Sequence, residues 1–132
     1  IKIWDMRIGI CKRTLIGHSD GVYSLVINND DELISGSKDL TIKIWNMTTG
    51  ESKRTLTGHM GLIWSLIINE CNELISASQD HTIKIWNTKT GECKRTLIGH
   101  TTTVFSLAIN SYNQLISSSF QTIKIWDMRT GE

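Results

Sequence analysis

Residues 17–57 read GHSDGVYSLVINNDDELISGSKDLTIKIWNMTTGESKRTLT, and the chain repeats this stretch. An ungapped alignment with residues 58–98 gives 25 identities in 41 positions, and a third Gly-His pair follows at 99–100. Self-similarity at a fixed period is typical of architectures in which each repeat buries its apolar face against its neighbours. We therefore expect repeat units at 17–57 and 58–98, an incomplete unit at 99–132, and the end of a preceding unit at 1–16.

Four short runs within one unit predict four β-strands. In the first unit they cover residues 22–28, 33–37, 41–45 and 53–56, and Gly, Asn, Asp and Ser clusters separate them. The first run is apolar on both faces, which predicts a strand buried between two neighbouring sheets. The last run is polar and alternating, which predicts an exposed outer strand. Four strands in about 40 residues are typical of one β-propeller blade, so we predict an all-β fold of four-stranded antiparallel blades.

The composition and charge of the chain are ordinary for a globular protein and do not indicate a particular class of ligand. The chain has 132 residues, of which 39% are hydrophobic and 20% charged, and its net charge is +1. This balance gives no indication of nucleic acid or anionic membranes as partners, and no apolar stretch is long enough to span a bilayer. The three cysteines lack the C-x-x-C spacing of a zinc or redox site. We expect free thiols in the cytosol or nucleus, with no metal and no cofactor.

The repeated motifs resemble those of the WD-repeat family over essentially the whole chain. They are Gly-His at the start of a unit, Ser-x-Ser-x-Asp before the third strand, and Ile-Trp-Asn or Ile-Trp-Asp at its end. The resemblance implies that His, Ser, Asp and Trp form a hydrogen-bond group in each blade. Such a group is physically reasonable, because a buried indole N–H needs an acceptor and a buried imidazole needs a partner. The matching residues are His18, Ser35, Asp39 and Trp45; His59, Ser76, Asp80 and Trp86; and His100, Ser117 and Trp126.

The last unit departs from the pattern. Ser-Ser-Phe-Gln-Thr replaces Ser-Gln-Asp-His-Thr, so one residue is deleted and the Asp is missing. Gln121 is the available substitute acceptor, but it carries no charge. We expect this blade to be the least well held by its hydrogen bonds.

The predicted strands amount to about three blades of an incomplete ring. By the topology of the family, the chain begins with the third and fourth strands of a blade, and residues 123–129 repeat 1–7 letter for letter. Propellers close at about four to eight blades. We therefore expect either a fragment of a longer propeller, which the ends of the chain favour, or a dimer or trimer of identical chains. In an assembly, the N-terminal outer strand would complete the last blade of a neighbour.

The resemblance implies a non-catalytic scaffold that binds peptides or proteins, as part of a larger multidomain protein. His, Ser and Asp superficially resemble a hydrolase triad, but they recur in every unit, whereas catalysis uses one constellation. We predict no catalytic residues. Each unit carries an aromatic residue five positions after its His, and in the family this position faces the top surface where partners dock; packing between blades is the alternative. The candidate partner-binding residues are Tyr23, Trp64 and Phe105, with the variable neighbours Leu62, Thr103, Lys38 and Gln79.

Basic pairs leave a second function open. Lys-Arg pairs at 12–13, 53–54 and 94–95 fall on the predicted outer strands and would form a basic rim. Such a rim binds phosphates of nucleic acid or phospholipid without sequence preference. The simpler interpretation is that these lysines keep the outer strands soluble, since neighbouring acidic residues offset their charge.

Overall fold

The computed structural model describes residues 1–131, and in that range it contains thirteen β-strands and no helix. Consequently the described residues include no helix long and apolar enough to cross a membrane. The strands are β1 (Lys2–Asp5), β2 (Ile10–Thr14), β3 (Val22–Ile27), β4 (Leu33–Ser37), β5 (Ile42–Trp45), β6 (Ser52–Leu56), β7 (Ile63–Ile68), β8 (Glu73–Ser78), β9 (Ile83–Asn87), β10 (Cys93–Leu97), β11 (Ser106–Ile109), β12 (Leu115–Ser118) and β13 (Ile123–Trp126).

The strands form four antiparallel sheets in which each strand pairs with its neighbour in sequence. We call β3–β6 blade 1, β7–β10 blade 2, β11–β13 blade 3, and β1–β2 the outer hairpin. Blades 1 and 2 have four strands each, whereas blade 3 has three among the described residues. The prediction of an all-β fold built from four-stranded antiparallel blades is confirmed, and the sheets do not close into a ring.

The core lies between the blades. Blades 1 and 2 share a cluster that includes Ile34 and Ile44 from one sheet and Leu66 and Trp86 from the next. Blades 2 and 3 share a second cluster of the same kind. In a third, smaller cluster, Ile1, Ile3 and Leu15 of the outer hairpin pack with Leu33, Trp45 and Met47 of blade 1. Each sheet therefore buries its faces against its neighbours, as repeats of this kind require.

The prediction that the first strand of each unit is buried on both faces holds for β7, which has no exposed residue, but is wrong for β3 and β11. Strand β3 alternates along its length, and Leu25 and Ile27 are about half exposed, at 51% and 54%. The second strand is the buried one, since every residue of β4 is buried. The physical reason for the exposure of β3 is the sheet that lies alongside it. The outer hairpin has only two strands and covers Leu33 and Trp45, but it does not reach the inner part of blade 1.

An arginine on the outer strand of the outer hairpin, of blade 1 and of blade 2 links each of these sheets to the next. The Nη1 atom of Arg54 donates a hydrogen bond of 2.8 Å to the carbonyl oxygen of Thr88, and Arg13 makes the corresponding bond to Thr49 at 3.0 Å. The turn that receives Arg54 contains Gly91 at a φ of +83°, a conformation that side chains disfavour. These bonds fix the spacing between neighbouring blades at their outer edges.

Candidate functional site

The hydrogen-bond group of blade 2 is complete in the structure. The Nδ1 atom of His59 lies 2.7 Å from Asp80 Oδ2, and its Nε2 atom lies 2.7 Å from Ser76 Oγ. The indole N–H of Trp86 donates to the same Ser76 oxygen at 2.8 Å. A carboxylate only accepts hydrogen bonds, so Nδ1 carries the proton, and the Ser76 hydroxyl donates to Nε2. In blade 1 the corresponding residues, His18, Ser35, Asp39 and Trp45, meet at the same distances.

The aspartate also ties down the loop that carries it. Asp80 accepts hydrogen bonds from the backbone N–H of Met60, and from both the N–H and the hydroxyl of Thr82. Burial by itself would raise the pKa of Asp80, but the hydrogen bonds from His59, Thr82 and Met60 outweigh it and hold the pKa well below its usual range. Asp39 is held ionised in the same way in blade 1. Each carboxylate therefore joins the start of its repeat to the turn before the third strand.

Blade 3 keeps only part of the group. His100 Nε2 lies 2.7 Å from Ser117 Oγ, and Trp126 donates to that oxygen at 2.7 Å. On the other side of the ring, His100 Nδ1 meets the Thr122 hydroxyl at 3.3 Å. Within the described range, Gln121 does not enter the group. With no carboxylate beside the ring, burial and the positive charge of Lys124 lower the pKa of His100.

The geometry of these hydrogen-bond groups fits a structural role and does not fit nucleophilic catalysis. The hydroxyls of Ser35 and Ser76 belong to fully buried residues, and each already receives an indole N–H. A catalytic serine must reach a substrate carbonyl beside an oxyanion site. The described residues also include no group of three His, Cys, Asp or Glu side chains that could hold a metal ion.

The structure brings the predicted aromatic residues into one continuous row across the three blades. The ring centroids of Tyr23 and Trp64 are 5.0 Å apart, and those of Trp64 and Phe105 are 5.5 Å apart. Phe120 extends the row, at 6.4 Å from Phe105. These are favourable separations for tilted aromatic pairs. We call these four residues the aromatic row.

Both interpretations of these residues describe part of the geometry. The rings of Tyr23, Trp64 and Phe105 pack against each other between blades, yet Tyr23 is 49% and Phe105 is 38% exposed. Phe120 is 78% exposed. β-Bulges at Tyr23 and Trp64 interrupt the pairing of β3 with β4 and of β7 with β8. A bulge re-aims a side chain, which explains how these rings leave the regular alternation of their strands.

The variable neighbours lie around this row at two depths. Lys38 and Gln79 are exposed, whereas Leu62 and Thr103 are half-buried. The backbone N–H of Gln79 donates to the carbonyl of Leu62 at 2.9 Å, so two of these positions belong to one loop junction. Lys38 forms an exposed ion pair with Asp20 at 3.4 Å.

Sequence reasoning missed Phe120. The signal was present, because Phe120 follows Ser119 as Lys38 follows Ser37 and as Gln79 follows Ser78. The deletion in the last unit hid the equivalence, since the Asp that marks the position in the other two units is missing.

The predicted basic rim is largely neutralised. Lys12 is ion-paired with Asp5 at 3.0 Å, and Lys53 and Lys94 pair with Glu32 and Glu73. The arginines of the same basic pairs donate to turn carbonyls of the neighbouring sheet. The lysines are thus paired with carboxylates and the arginines, which keep their charge, are held against the next sheet, so these contacts favour a structural role for the outer strands.

Antiparallel four-stranded sheets that pack face to face in sequence order, each with a buried tryptophan at the end of its third strand, define this chain as a run of β-propeller blades. A family model described as "WD domain, G-beta repeat" matches residues 9–46, 50–87 and 91–127. The chain belongs to this WD-repeat family, whose repeats typically act as non-catalytic scaffolds for protein interaction. No curated protein sequence matches the chain.

Proposed function

We propose that this protein is a non-catalytic interaction scaffold whose aromatic row anchors a peptide or protein partner. The observation that carries the proposal is the continuity of the row across three blades, with Tyr23, Phe105 and Phe120 substantially exposed. Aromatic side chains dominate binding energy at protein interfaces. They also contribute a large contact area while losing little conformational entropy.

The row is presented on a rigid base. Leu66 N donates to Ser24 Oγ at 2.9 Å, which joins the inner strands of blades 1 and 2 directly beside the aromatic residues. The hydrogen-bond groups hold the loops that flank the row. A preformed surface avoids much of the ordering entropy that binding otherwise requires.

The row also contains a buried hydrogen-bond donor that a partner could use. The Nε1 atom of Trp64 is buried and has no hydrogen-bond partner among the described residues. A small ring movement on binding would let this N–H donate to a partner carbonyl, which removes the penalty for a buried donor without an acceptor. Three free cysteines favour a reducing compartment such as the cytosol or nucleus for this interaction.

Peptides selected from a random displayed library on the immobilised chain test the proposal. We expect the combined variant Tyr23→Ser, Phe105→Ser and Phe120→Ser to lose at least about tenfold in affinity, or about 1.4 kcal/mol, for the selected peptides. Trp64 stays unchanged because it packs on both sides and supports the fold.

The matched control is Tyr112→Ser. Tyr112 is 84% exposed, but it lies in the turn between β11 and β12, away from the row. It should leave peptide affinity unchanged. Equal affinity of the wild type and the combined variant, with both folded by circular dichroism, would show that the row is not the binding surface.

A further inference from the structure

The histidine of blade 3 has the same orientation as its equivalents in blades 1 and 2. The centroid of each imidazole lies 5.9 Å from the ring centroid of its tryptophan, with interplanar angles of 62°, 61° and 58° in blades 1, 2 and 3. The distance of 2.7 Å from Nε2 to a serine hydroxyl is also common to all three. The Nδ1 atom of His100 therefore points to the position at which the other two histidines meet an aspartate, at 2.7 Å.

The threonine on the far side of this position also keeps its place. The hydroxyl of Thr122 lies 3.3 Å from His100 Nδ1, and the corresponding distance in blades 1 and 2 is 3.4 Å. The N–H of Ser119 donates to the carbonyl of Thr122 at 2.8 Å, and the equivalent bond closes the turn in both other blades. The deletion in the last repeat thus shortens the turn but keeps the bond that closes it.

Blade 3 retains the donors that hold the carboxylate in the other blades. In blade 2 the aspartate accepts from the imidazole, from the N–H of the next residue, and from the N–H and hydroxyl of the threonine, at 2.7 to 2.9 Å. The last repeat has the same donors on His100, Thr101 and Thr122. No carboxylate of residues 1–131 meets them. The deletion has therefore removed the acceptor and left its donors in place.

An open cavity of about 190 Å³ lies at these donors. Thr122 is exposed, whereas its equivalents Thr41 and Thr82 are half-buried. One water molecule takes roughly 30 Å³, so the cavity has room for a carboxylate and part of the side chain that carries it. The residues that line it are Thr101, Thr102, Ser119, Phe120, Gln121 and Thr122.

The first two blades show that such donors hold a carboxylate in its ionised form. Burial raises the pKa of Asp39 and Asp80, but hydrogen bonds from the imidazole, hydroxyl and amide groups outweigh it and hold the pKa well below its usual range. Neither aspartate forms an ion pair with a Lys or Arg side chain of the described residues. In blade 3 the positive charge of Lys124, which acts on His100, adds to the preference for an anion.

We propose that this cavity binds an aspartate or glutamate side chain of the partner peptide, which takes the place of the missing aspartate and accepts hydrogen bonds from His100, Thr101 and Thr122. The inference rests on the proposed function, because the carboxylate belongs to the segment that the aromatic row binds. Phe120 is part of both surfaces, since it lines the cavity and ends the row. The acidic residue of the partner therefore lies next to an apolar residue that contacts Phe120.

Peptides selected from a random displayed library on the wild-type chain test the proposal. They are synthesised with amidated C-termini, so that side chains supply their only carboxylates. We expect the selected peptides to share an Asp or a Glu. Its replacement by Asn or Gln should lower the affinity at least about tenfold, because hydrogen bonds to a charged acceptor are about twice as strong as those to a neutral one.

The matched variant of the protein has one aspartate inserted between Phe120 and Gln121. The insertion gives the last repeat the spacing of the other two, so that the chain's own carboxylate takes the cavity while the aromatic row is kept. An acidic peptide and its amide counterpart should bind this variant with equal affinity. In the wild type, the acidic peptide should also raise the pKa of His100, followed by NMR, whereas the amide peptide should leave it unchanged.

Three results would overturn the proposal. They are selected peptides without a common acidic residue, amide counterparts that bind the wild type as tightly as the acidic peptides do, and a folded insertion variant that still prefers the acidic peptide. The first two comparisons need no variant protein. The proposed function fails on a different result, which is equal binding of the peptides to the wild type and to the combined variant Tyr23→Ser, Phe105→Ser and Phe120→Ser.

Discussion

Replacement of Asp80 by Ala tests whether the hydrogen-bond group stabilises its blade. Asp80 accepts four hydrogen bonds, from His59 Nδ1 at 2.7 Å, Met60 N at 2.9 Å, Thr82 N at 2.9 Å and the Thr82 hydroxyl at 2.7 Å. An alanine leaves all four donors without this acceptor. The carboxylate joins two segments twenty residues apart, so its loss loosens both.

The expected magnitude follows from how well water can replace each bond. The His59 side chain is 1% exposed, and after the change its Nδ1–H keeps only the Thr82 hydroxyl, 3.4 Å away, as a weak acceptor; the lost bond contributes about 2 kcal/mol. Met60 is 88% exposed, so water can reach this loop, and the Met60 and Thr82 donors together add about 1 kcal/mol. The free energy of unfolding should therefore fall by about 3 kcal/mol. For a domain of this size that corresponds to a decrease in Tm of roughly 10 °C.

Urea unfolding followed by circular dichroism, at one fixed protein concentration, measures this change. Hydrogen exchange of the Met60 and Thr82 amides should accelerate in the variant. Asp20→Ala is the control, because Asp20 makes an exposed ion pair with Lys38, and its loss should change stability by less than about 0.5 kcal/mol. An Asp80→Ala protein as stable as the Asp20→Ala protein, with the two amides still protected, would refute the reasoning.

Two further outcomes follow from the structure. Gly91→Ala should lower the free energy of unfolding in urea by about 1–2 kcal/mol more than Gly9→Ala does. Both glycines have a positive φ, but only at Gly91 would an added Cβ lie 2.7 Å from Arg54 Cδ. Equal losses in the two variants would contradict this clash. The pKa of His100 is lowered in the folded chain, so the unfolded chain binds a proton more readily. The contribution of neutral His100 to the free energy of unfolding is therefore complete above about pH 6.5 and is lost as the pH falls below it. The gap in unfolding free energy between the wild type and His100→Asn should therefore narrow between pH 8 and pH 5, and a constant gap would contradict the assignment.

Local patterning was sufficient to predict the strands because it acts within a few residues. Runs at 33–37 and 41–45 were predicted, and the strands are Leu33–Ser37 and Ile42–Trp45. Burial of the first strand could not be predicted from the same pattern, because it depends on which sheet lies alongside. Leu25 and Leu66 lie in similar stretches, VYSLVI at 22–27 and IWSLII at 63–68, yet Leu25 is exposed and Leu66 is buried.

The role of the outer-strand arginines also lay beyond local patterning. Each Lys-Arg pair has the composition of a surface charge cluster, but Arg54 reaches a carbonyl 34 residues away, at Thr88. Thr88 belongs to the next repeat, so the contact exists only once two sheets are stacked. Sequence patterns predict which residues are charged, whereas the identity of their partners depends on how one repeat is placed against the next.

The single deletion in the last repeat connects stability with the candidate binding surface. In blades 1 and 2, the turn before the third strand contains an aspartate and a residue at positive φ, Leu40 at 69° and His81 at 70°. In blade 3 the shorter turn is closed by a bond of 2.8 Å from Ser119 N to the Thr122 carbonyl, and no residue between them has a positive φ. The deletion thus removes the carboxylate and its hydrogen bonds, and it also removes a strained residue. The shortened turn carries Phe120 within reach of Phe105. The blade with the weakest hydrogen-bond group is therefore the one that extends the aromatic row, which is the arrangement expected where a repeat has been modified for binding at some expense of stability.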